Sequence, residues 1–388
     1  STVRSRLELP FYHHAKYVIT GYTRQRWSLP MCDHCRSSGN VFTSRPTLQF
    51  MNQPNRRKVL CDLASVAALS SFASVGCVPT GQGPLPDLVW GRRGMSEGRF
   101  LKPRAITIDD EDRLYIVDTT GRIQVFDTDG NFICFWSTPE TSNGRPTGLA
   151  IQTIRGDAAK PESKSDDSEA VVDNRRLLVA DTHYYRMLSY SLDGTLHPEE
   201  QIGGTAGHLP GDFAFVTDAV CDASGCFYIG EYNASDRIQK FDPDGNFLMQ
   251  WGGNGTEPGK FVRPQSLVVR ENVLWVADSC NHRIQRFDLT PEIPELIDIW
   301  GQPGDQQGQF FYPYDLAFAS DGSLLVIEYK NDRVQRFDPD GNWIASWGGS
   351  GFEPGRLNQP WGVVVDSRDR VHILDSSNHR IQRIGLPV

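Results

Sequence analysis

From Gly308 to Gly349 the apolar residues fall in four short bursts, and Asp, Gly, Pro and Asn separate them. Within each burst apolar and polar positions alternate or the apolar ones run together briefly, the signature of half-buried or buried strands. The pattern predicts strands at Asp315–Ala319, Leu324–Glu328, Arg333–Asp338 and Trp343–Trp347. The turns between them, SDG at Ser320–Gly322 and DPDGN at Asp338–Asn342, carry the Asp-Gly pair that supplies the positive φ of tight hairpins. No segment of the stretch keeps a helical period, which excludes a helical solenoid.

The same pattern recurs as VDTTGRIQVFDTDGN, ADTHYYRMLSYSLDG, GEYNASDRIQKFDPDGN, ADSCNHRIQRFD, IEYKNDRVQRFDPDGN and LDSSNHRIQRIG. Its arginines are Arg122, Arg186, Arg237, Arg283, Arg333 and Arg380, spaced by 64, 51, 46, 50 and 47 residues. A period of this size means a stacked or radial repeat. Four antiparallel strands per repeat make a β-propeller blade. NHRIQRFD (Asn281–Asp288), the GxFxxPxxL of Gly308–Leu316 and a downstream Trp-Gly together resemble the NHL repeat, over Leu85–Val388. The Gly-His and Trp-Asp signatures of WD40 repeats are missing, and HYYRMLSYS in the second repeat is the weakest copy.

Closure follows from the ends of the array. The sixth repeat has three strands and lacks the one ending in Trp-Gly, whereas DLVWG (Asp87–Gly91) precedes the first repeat. The expected fold is therefore all-β, a six-bladed propeller over 87–388 in which the N-terminal strand completes the last blade. An unpaired strand edge there would be sticky and costly.

Charge divides the chain. Residues 1–84 carry ten Lys/Arg against three Asp/Glu, and residues 85–388 carry 29 against 45. An acidic propeller is a poor phosphate binder, so no nucleic-acid partner is expected. Residues 1–50 read as an unstructured extension upstream of the true start, and their single CDHC (Cys32–Cys35) supplies half of a four-ligand zinc site. At 51–77, Arg56-Arg57, an apolar run and Ser74-Val75-Gly76-Cys77 resemble a twin-arginine export signal ending in a lipoprotein box. That resemblance implies an exported protein of the cell envelope or periplasm, touching the membrane only through a lipid on Cys77. Residues 78–86 form a Pro/Gly linker, and a polar insertion from about Thr153 to Arg176 separates the first two strands of blade two. Cys221 and Cys226 flank the DASG turn of blade three, so either a disulfide or two separate thiols is open.

The repeated Asp and Arg of each loop are expected to pin that loop, since a feature present in every blade speaks for architecture. A site is sought where blades differ. Glu231 and Glu328 replace the Asp in blades three and five, and their longer carboxylates are candidate ligand groups. The positions opening the inner strands hold Arg104, Thr147, Thr217-Asp218, Gln265, Tyr314 and Trp361. Of these, Arg104, Gln265, Tyr314 and Trp361 are the candidate ligand-binding residues of one mouth, aromatic rings with polar tips suiting that role. Removing Trp361 is expected to weaken binding with little effect on stability. NHL-like propellers include a peptide-amidating lyase whose site resembles a zinc held by three histidines, and here none of the inner-strand openings is His. By resemblance to calcium-dependent lactonases, Asp218, Glu231, Asp315 and Glu328 are conceivable ligands for Ca²⁺. The expectation is a monomeric binding scaffold that holds a protein or small molecule at one mouth, without catalytic residues, metal or cofactor. The alternative is a Ca- or Zn-dependent hydrolase or lyase of the lactonase or amidating-lyase type with its centre on the axis.

Overall fold

The computed structural model describes residues 84–153, 175–233 and 235–388. The extension, the signal-like segment with Cys77, most of the linker and most of the blade-two insertion lie outside the described residues. A short strand, β1 (Leu88–Trp90), comes first. Blade one is β2 (Pro103–Ile108), β3 (Leu114–Asp118), β4 (Arg122–Phe126) and β5 (Phe132–Ser137). Blade two is β6 (Gly148–Thr153), β7 (Arg175–Asp181), β8 (Arg186–Tyr190) and β9 (Ile202–Gly203). Blade three is β10 (Phe215–Cys221), β11 (Phe227–Tyr232), β12 (Arg237–Phe241) and β13 (Phe247–Gly252). Blade four is β14 (Pro264–Arg270), β15 (Val273–Asp278), β16 (Arg283–Asp288) and β17 (Glu295–Trp300). Blade five is β18 (Pro313–Phe318), β19 (Leu324–Glu328), β20 (Arg333–Phe337) and β21 (Trp343–Gly348). Blade six is β22 (Gly362–Val365), β23 (Arg370–Asp375) and β24 (Arg380–Gly385), completed by β1.

Every sheet is antiparallel, and the innermost strands touch in the order β2, β6, β10, β14, β18, β22 and back to β2. The ring closes as the sequence implies. β1 pairs with β24 in the register Leu88↔Arg383, Val89↔Gln382, Trp90↔Ile381. Arg383 holds the Asp87 carboxylate at 3.1 Å, and the Lys102 N–H donates to His379 Nδ1 at 2.8 Å, a second clasp between blades six and one.

Six apolar clusters, one per blade interface, hold the ring together. The tryptophans that end outer strands (Trp90, Trp136, Trp251, Trp300 and Trp347) each belong to one of these clusters, as their recurrence suggests. Blade two, whose repeat is weakest, offers Ile202 at this place instead. The turn glycines make the packing possible: a Cβ on Gly130, at φ +81°, would stand 2.8 Å from the Trp90 ring.

The loop between second and third strands is pinned in each blade by a buried ion pair. Arg122–Asp118 (3.2 Å), Arg186–Asp181 (2.9 Å), Arg283–Asp278 (2.7 Å), Arg333–Glu328 (2.5 Å) and Arg380–Asp375 (2.6 Å) join Arg237–Glu231 in this role. The same arginine reaches the crossover from the preceding blade: Arg283 donates to the carbonyls of Thr256, Glu257 and Lys260 at 2.7, 3.0 and 2.8 Å. The glutamine two residues on completes the set, Gln285 Nε2 donating to Lys260 O at 2.7 Å and to Asp278 at 3.1 Å. Cys221 and Cys226 are free thiols.

Four strand boundaries of blade five differ from the sequence reading, the strands running Pro313–Phe318, Arg333–Phe337 and Trp343–Gly348. The first strand of blade five starts at Pro313 rather than Asp315, because a shift of register between Pro313 and Asp315 lets Pro313 pair with Glu328.

Candidate functional site

That shift is a β-bulge, and it recurs where inner strands begin: between Pro103 and Ala105, Val216 and Asp218, Pro264 and Ser266, and Pro313 and Asp315. A bulge leaves one residue unpaired and re-aims its side chain. The residues so released are Arg104, Thr217, Gln265 and Tyr314. Thr147 and Trp361 stand just before β6 and β22, at the matching place. Four bulges and the residues preceding two further strands thus make one rim around the axis. A cavity of about 40 Å³ opens there, and Arg104, Gln265, Tyr314 and Trp361 all line it. The structure brings these four predicted residues together.

Around the rim, rings and guanidinium groups make a belt. Arg104 lies over the Trp361 ring at 4.8 Å, and Trp361 and Tyr314 have centroids 5.1 Å apart. Arg263 Nη2 donates to the Tyr314 hydroxyl at 2.8 Å and its Nε to Gln265 Oε1 at 2.8 Å. The same guanidinium sits 4.7 Å over Tyr232. Tyr232 meets Phe215 at 5.4 Å, and Phe215 meets His183 at 5.0 Å. Tyr329 stacks on Tyr314 at 5.1 Å.

The electrostatics of this belt run against those of the whole propeller. Lys102, Arg104, Arg145, Arg263 and Lys330 gather here, and among the described residues none of them has a salt bridge. Burial pushes Arg104 down from the usual guanidinium value, and the charges of Arg263 and Arg145 add to this while Tyr314 and Tyr232 oppose it. Burial also lowers Lys102, helped by Arg104 and Lys330. For Arg263 burial opposes the charge, but Tyr314 and Tyr232 outweigh it and the group is raised. Buried donors without acceptors complete the picture: Arg104 Nε and Trp361 Nε1. An unpaired buried donor costs about 1–3 kcal/mol, so such groups call for an explanation.

Beneath the belt two carboxylates face the same cavity, Asp218 and Asp315. Each reaches across to the next blade: Asp218 Oδ2 accepts the Leu267 N–H at 3.0 Å and Asp315 Oδ2 the Val363 N–H at 2.8 Å. Ser266 stands between them and donates to Asp315 Oδ1 at 2.8 Å. Protein surrounds both carboxylates, although the channel leaves them in reach of water. Burial pushes Asp218 up to about 8, with the Asp315 charge adding to it. Burial likewise pushes Asp315 up to about 7, against the hydrogen bonds from Val363 and Ser266.

Glu231 and Glu328 stand elsewhere. Both are fully buried within the loop pins. Glu231 is held by Arg237, the Ala214 N–H and Gln239, and Glu328 by Arg333, Asn331, Gln335 and the Phe311 N–H. The longer side chain fills the same acceptor place as Asp in the other blades, and the residues that follow, Tyr232 and Tyr329, join the belt instead. The four carboxylates considered for Ca²⁺ are accordingly split between two pins and the channel. Trp361 also departs from expectation: it is 8% exposed and, with Tyr314, part of the core between blades five and six. Its removal therefore costs stability as well as a mouth contact.

Sequence reasoning missed Arg263, Arg145 and His183. A signal existed in Lys102-Pro103, Arg145-Pro146 and Arg263-Pro264, a cation just before the proline that opens the inner strand. His183 needs Gly144, since a Cβ there would lie 2.1 Å from its ring. A metal held by three imidazoles does not fit this mouth. His282 Nδ1 accepts the Tyr312 N–H at 3.0 Å and His379 Nδ1 that of Lys102, which leaves His183. The one three-residue cluster with metal-ligand chemistry among the described residues is His197, Glu199 and Glu200, away from the mouth and already bonded to Ser191, Ser189 and Arg176.

Comparison with known proteins agrees with this architecture. The NHL repeat family matches residues 261–287 and 357–384. NHL repeat-containing protein 3 of Homo sapiens is 30% identical over 139 residues, 34% of this chain and 38% of that protein. A probable peptidyl-alpha-hydroxyglycine alpha-amidating lyase of Caenorhabditis elegans is 33% identical over 90 residues, 22% of this chain and 26% of that one. These matches span well under half of either relative. Among solved structures, a streptogramin B lyase shares the fold with a TM-score of 0.50 at 14% identity, covering 75% of this chain and 95% of that chain.

Proposed function

We propose that this NHL-repeat, six-bladed propeller is a binding protein whose mouth takes a small organic anion, a carboxylate carried on an apolar or aromatic body. The observation that supports this most is the Arg104 guanidinium, which makes no ion pair and is set against the Trp361 ring. Arg263, already aligned by Gln265 and Tyr314, offers a second guanidinium. Guanidinium groups bind carboxylates through paired, charge-assisted hydrogen bonds. The partly buried rings of Phe215, Tyr232 and Tyr329 supply area for the remainder of the ligand. The segment with Arg56-Arg57 and Cys77 would display this mouth in the cell envelope, and Cys77→Ser would then release the protein from membranes.

Calorimetry or tryptophan fluorescence with benzoylglycine and with its uncharged amide tests the reading. Benzoylglycine should bind, the amide at least tenfold more weakly. Equal binding of the two, or none, overturns it.

A second reading rests on the likeness to the Caenorhabditis elegans lyase: the mouth would turn over a peptidyl-α-hydroxyglycine, whose terminal carboxylate suits the same arginines. Product release from such a substrate, lost in Tyr314→Phe, would favour it over simple binding.

A further inference from the structure

The carboxylates beneath the belt deserve their own account, because an anion in the mouth is repelled by any charge they carry. Asp218, Ser266 and Asp315 come from adjacent blades and meet in the channel. The Ser266 hydroxyl donates to Asp315 Oδ1 at 2.8 Å, and both carboxylates line the same small cavity. A hydroxyl has one proton to give. Given to Asp315, that proton is not available to Asp218. Two like charges confined in one small cavity favour keeping a proton on the pair.

Among the described residues no cation forms an ion pair with either carboxylate, although Arg104 lines the same cavity. Of the groups on neighbouring elements, Arg104 of β2 faces Trp361, and Arg263 before β14 is engaged by Gln265 and Tyr314. His183 after β7 and Tyr232 at the end of β11 lie in the belt. The carboxylates ending β3, β7, β11, β15, β19 and β23 are each paired with their pin arginines.

We propose that Asp218 and Asp315, with Ser266 beside them, form a proton-sharing diad under the mouth, so that capture of an anion by Arg104 and Arg263 draws a proton onto the diad. This rests on the anion-binding reading above and adds its regulation. Binding is strong while the diad holds its proton and weakens as pH rises and both carboxylates become charged. The titration lies near neutrality, where burial places these groups. A like charge nearby, in a partly buried site, is enough for about a tenfold change in affinity.

The test is calorimetric titration of the full chain with benzoylglycine at pH 6 and pH 9, in two buffers of different ionisation heat. Wild type should bind about tenfold more tightly at pH 6 and take up protons near pH 7.5. Asp218→Asn and Asp315→Asn should each flatten the pH dependence and abolish the proton uptake. His183→Gln should keep the pH slope, whatever its affinity, which separates the diad from a titrating imidazole. Binding in wild type with equal affinity at both pH values and no proton uptake overturns the diad while leaving the anion site standing. A slope kept in both Asn variants, or lost in His183→Gln, overturns it as well. Failure of benzoylglycine to bind even at pH 6 overturns both readings.

Discussion

Arg263 and Arg283 lie in one repeat, and their surroundings are opposite. Arg283 meets the buried Asp278 carboxylate at 2.7 Å and three carbonyls of the crossover loop. The Arg263 guanidinium meets no carboxylate, only an amide, a phenol and the faces of rings, although the Arg263 backbone N–H donates to Asp236 at 2.7 Å. The same contrast holds between Arg122 and Arg104 in blade one. A buried guanidinium that is fully paired is part of the architecture. One that keeps donors free is stable only because the rest of the ring holds it there, and it is available to a ligand.

The comparison can be broken at several levels. The largest effect should come from deleting 84–91, which removes β1 and leaves β24 without its outer partner. Cooperative unfolding of the whole ring should then be lost or shifted far down in temperature, as read by calorimetry. A deletion mutant with unchanged melting would refute the closure role.

Next, Arg283→Ala should cost about 3–5 kcal/mol, since it leaves Asp278 charged and buried without its partner. Arg104→Ala should change stability by less than about 1 kcal/mol, because no ion pair is lost. Denaturant midpoints of the two variants decide whether pinned and free arginines truly differ.

For ligand binding the order should invert. Arg104→Gln should weaken benzoylglycine by about tenfold to a hundredfold, the worth of a charge-assisted contact. Arg283→Lys, where it folds, should leave that affinity nearly unchanged.

The smallest effect concerns pH and stability. Asp218 and Asp315 have folded values raised above those of an unfolded carboxyl. The folded state therefore binds more protons, and stability falls gently as pH rises from about 4 to 8. Asp218→Asn should flatten this decline, giving a melting temperature less sensitive between pH 5 and pH 9. An unchanged profile would show that the pair does not titrate in that range.

Much of the propeller was legible in the chain because its code is local. Asp-Gly turns, alternating strands and the Arg-x-Gln of five of the six third strands are written within a few residues of one another, and the copies reinforce the reading. The missing outer strand of blade six could be found in DLVWG for the same reason. The loop pins were legible as pairs, though the glutamines and the crossover carbonyls that complete them were not.

The mouth was legible in part. Counting from the recurring proline located Arg104, Gln265, Tyr314 and Trp361, because a radial repeat carries equivalent positions to equivalent places. That count could not say where a longer carboxylate would go. Glu231 and Glu328 turn back into their pins because the buried arginine and backbone donors there satisfy them better than the open mouth would. Nor could it say that Arg263, Tyr232 and Phe215 meet across two blades, or that Ser266 stands between carboxylates of blades three and five. Those meetings depend on distances across the axis between residues about fifty positions apart in sequence. Repeat grammar sets the blade, whereas the charge and hydrogen-bond environment of the axis exists only once the ring has closed.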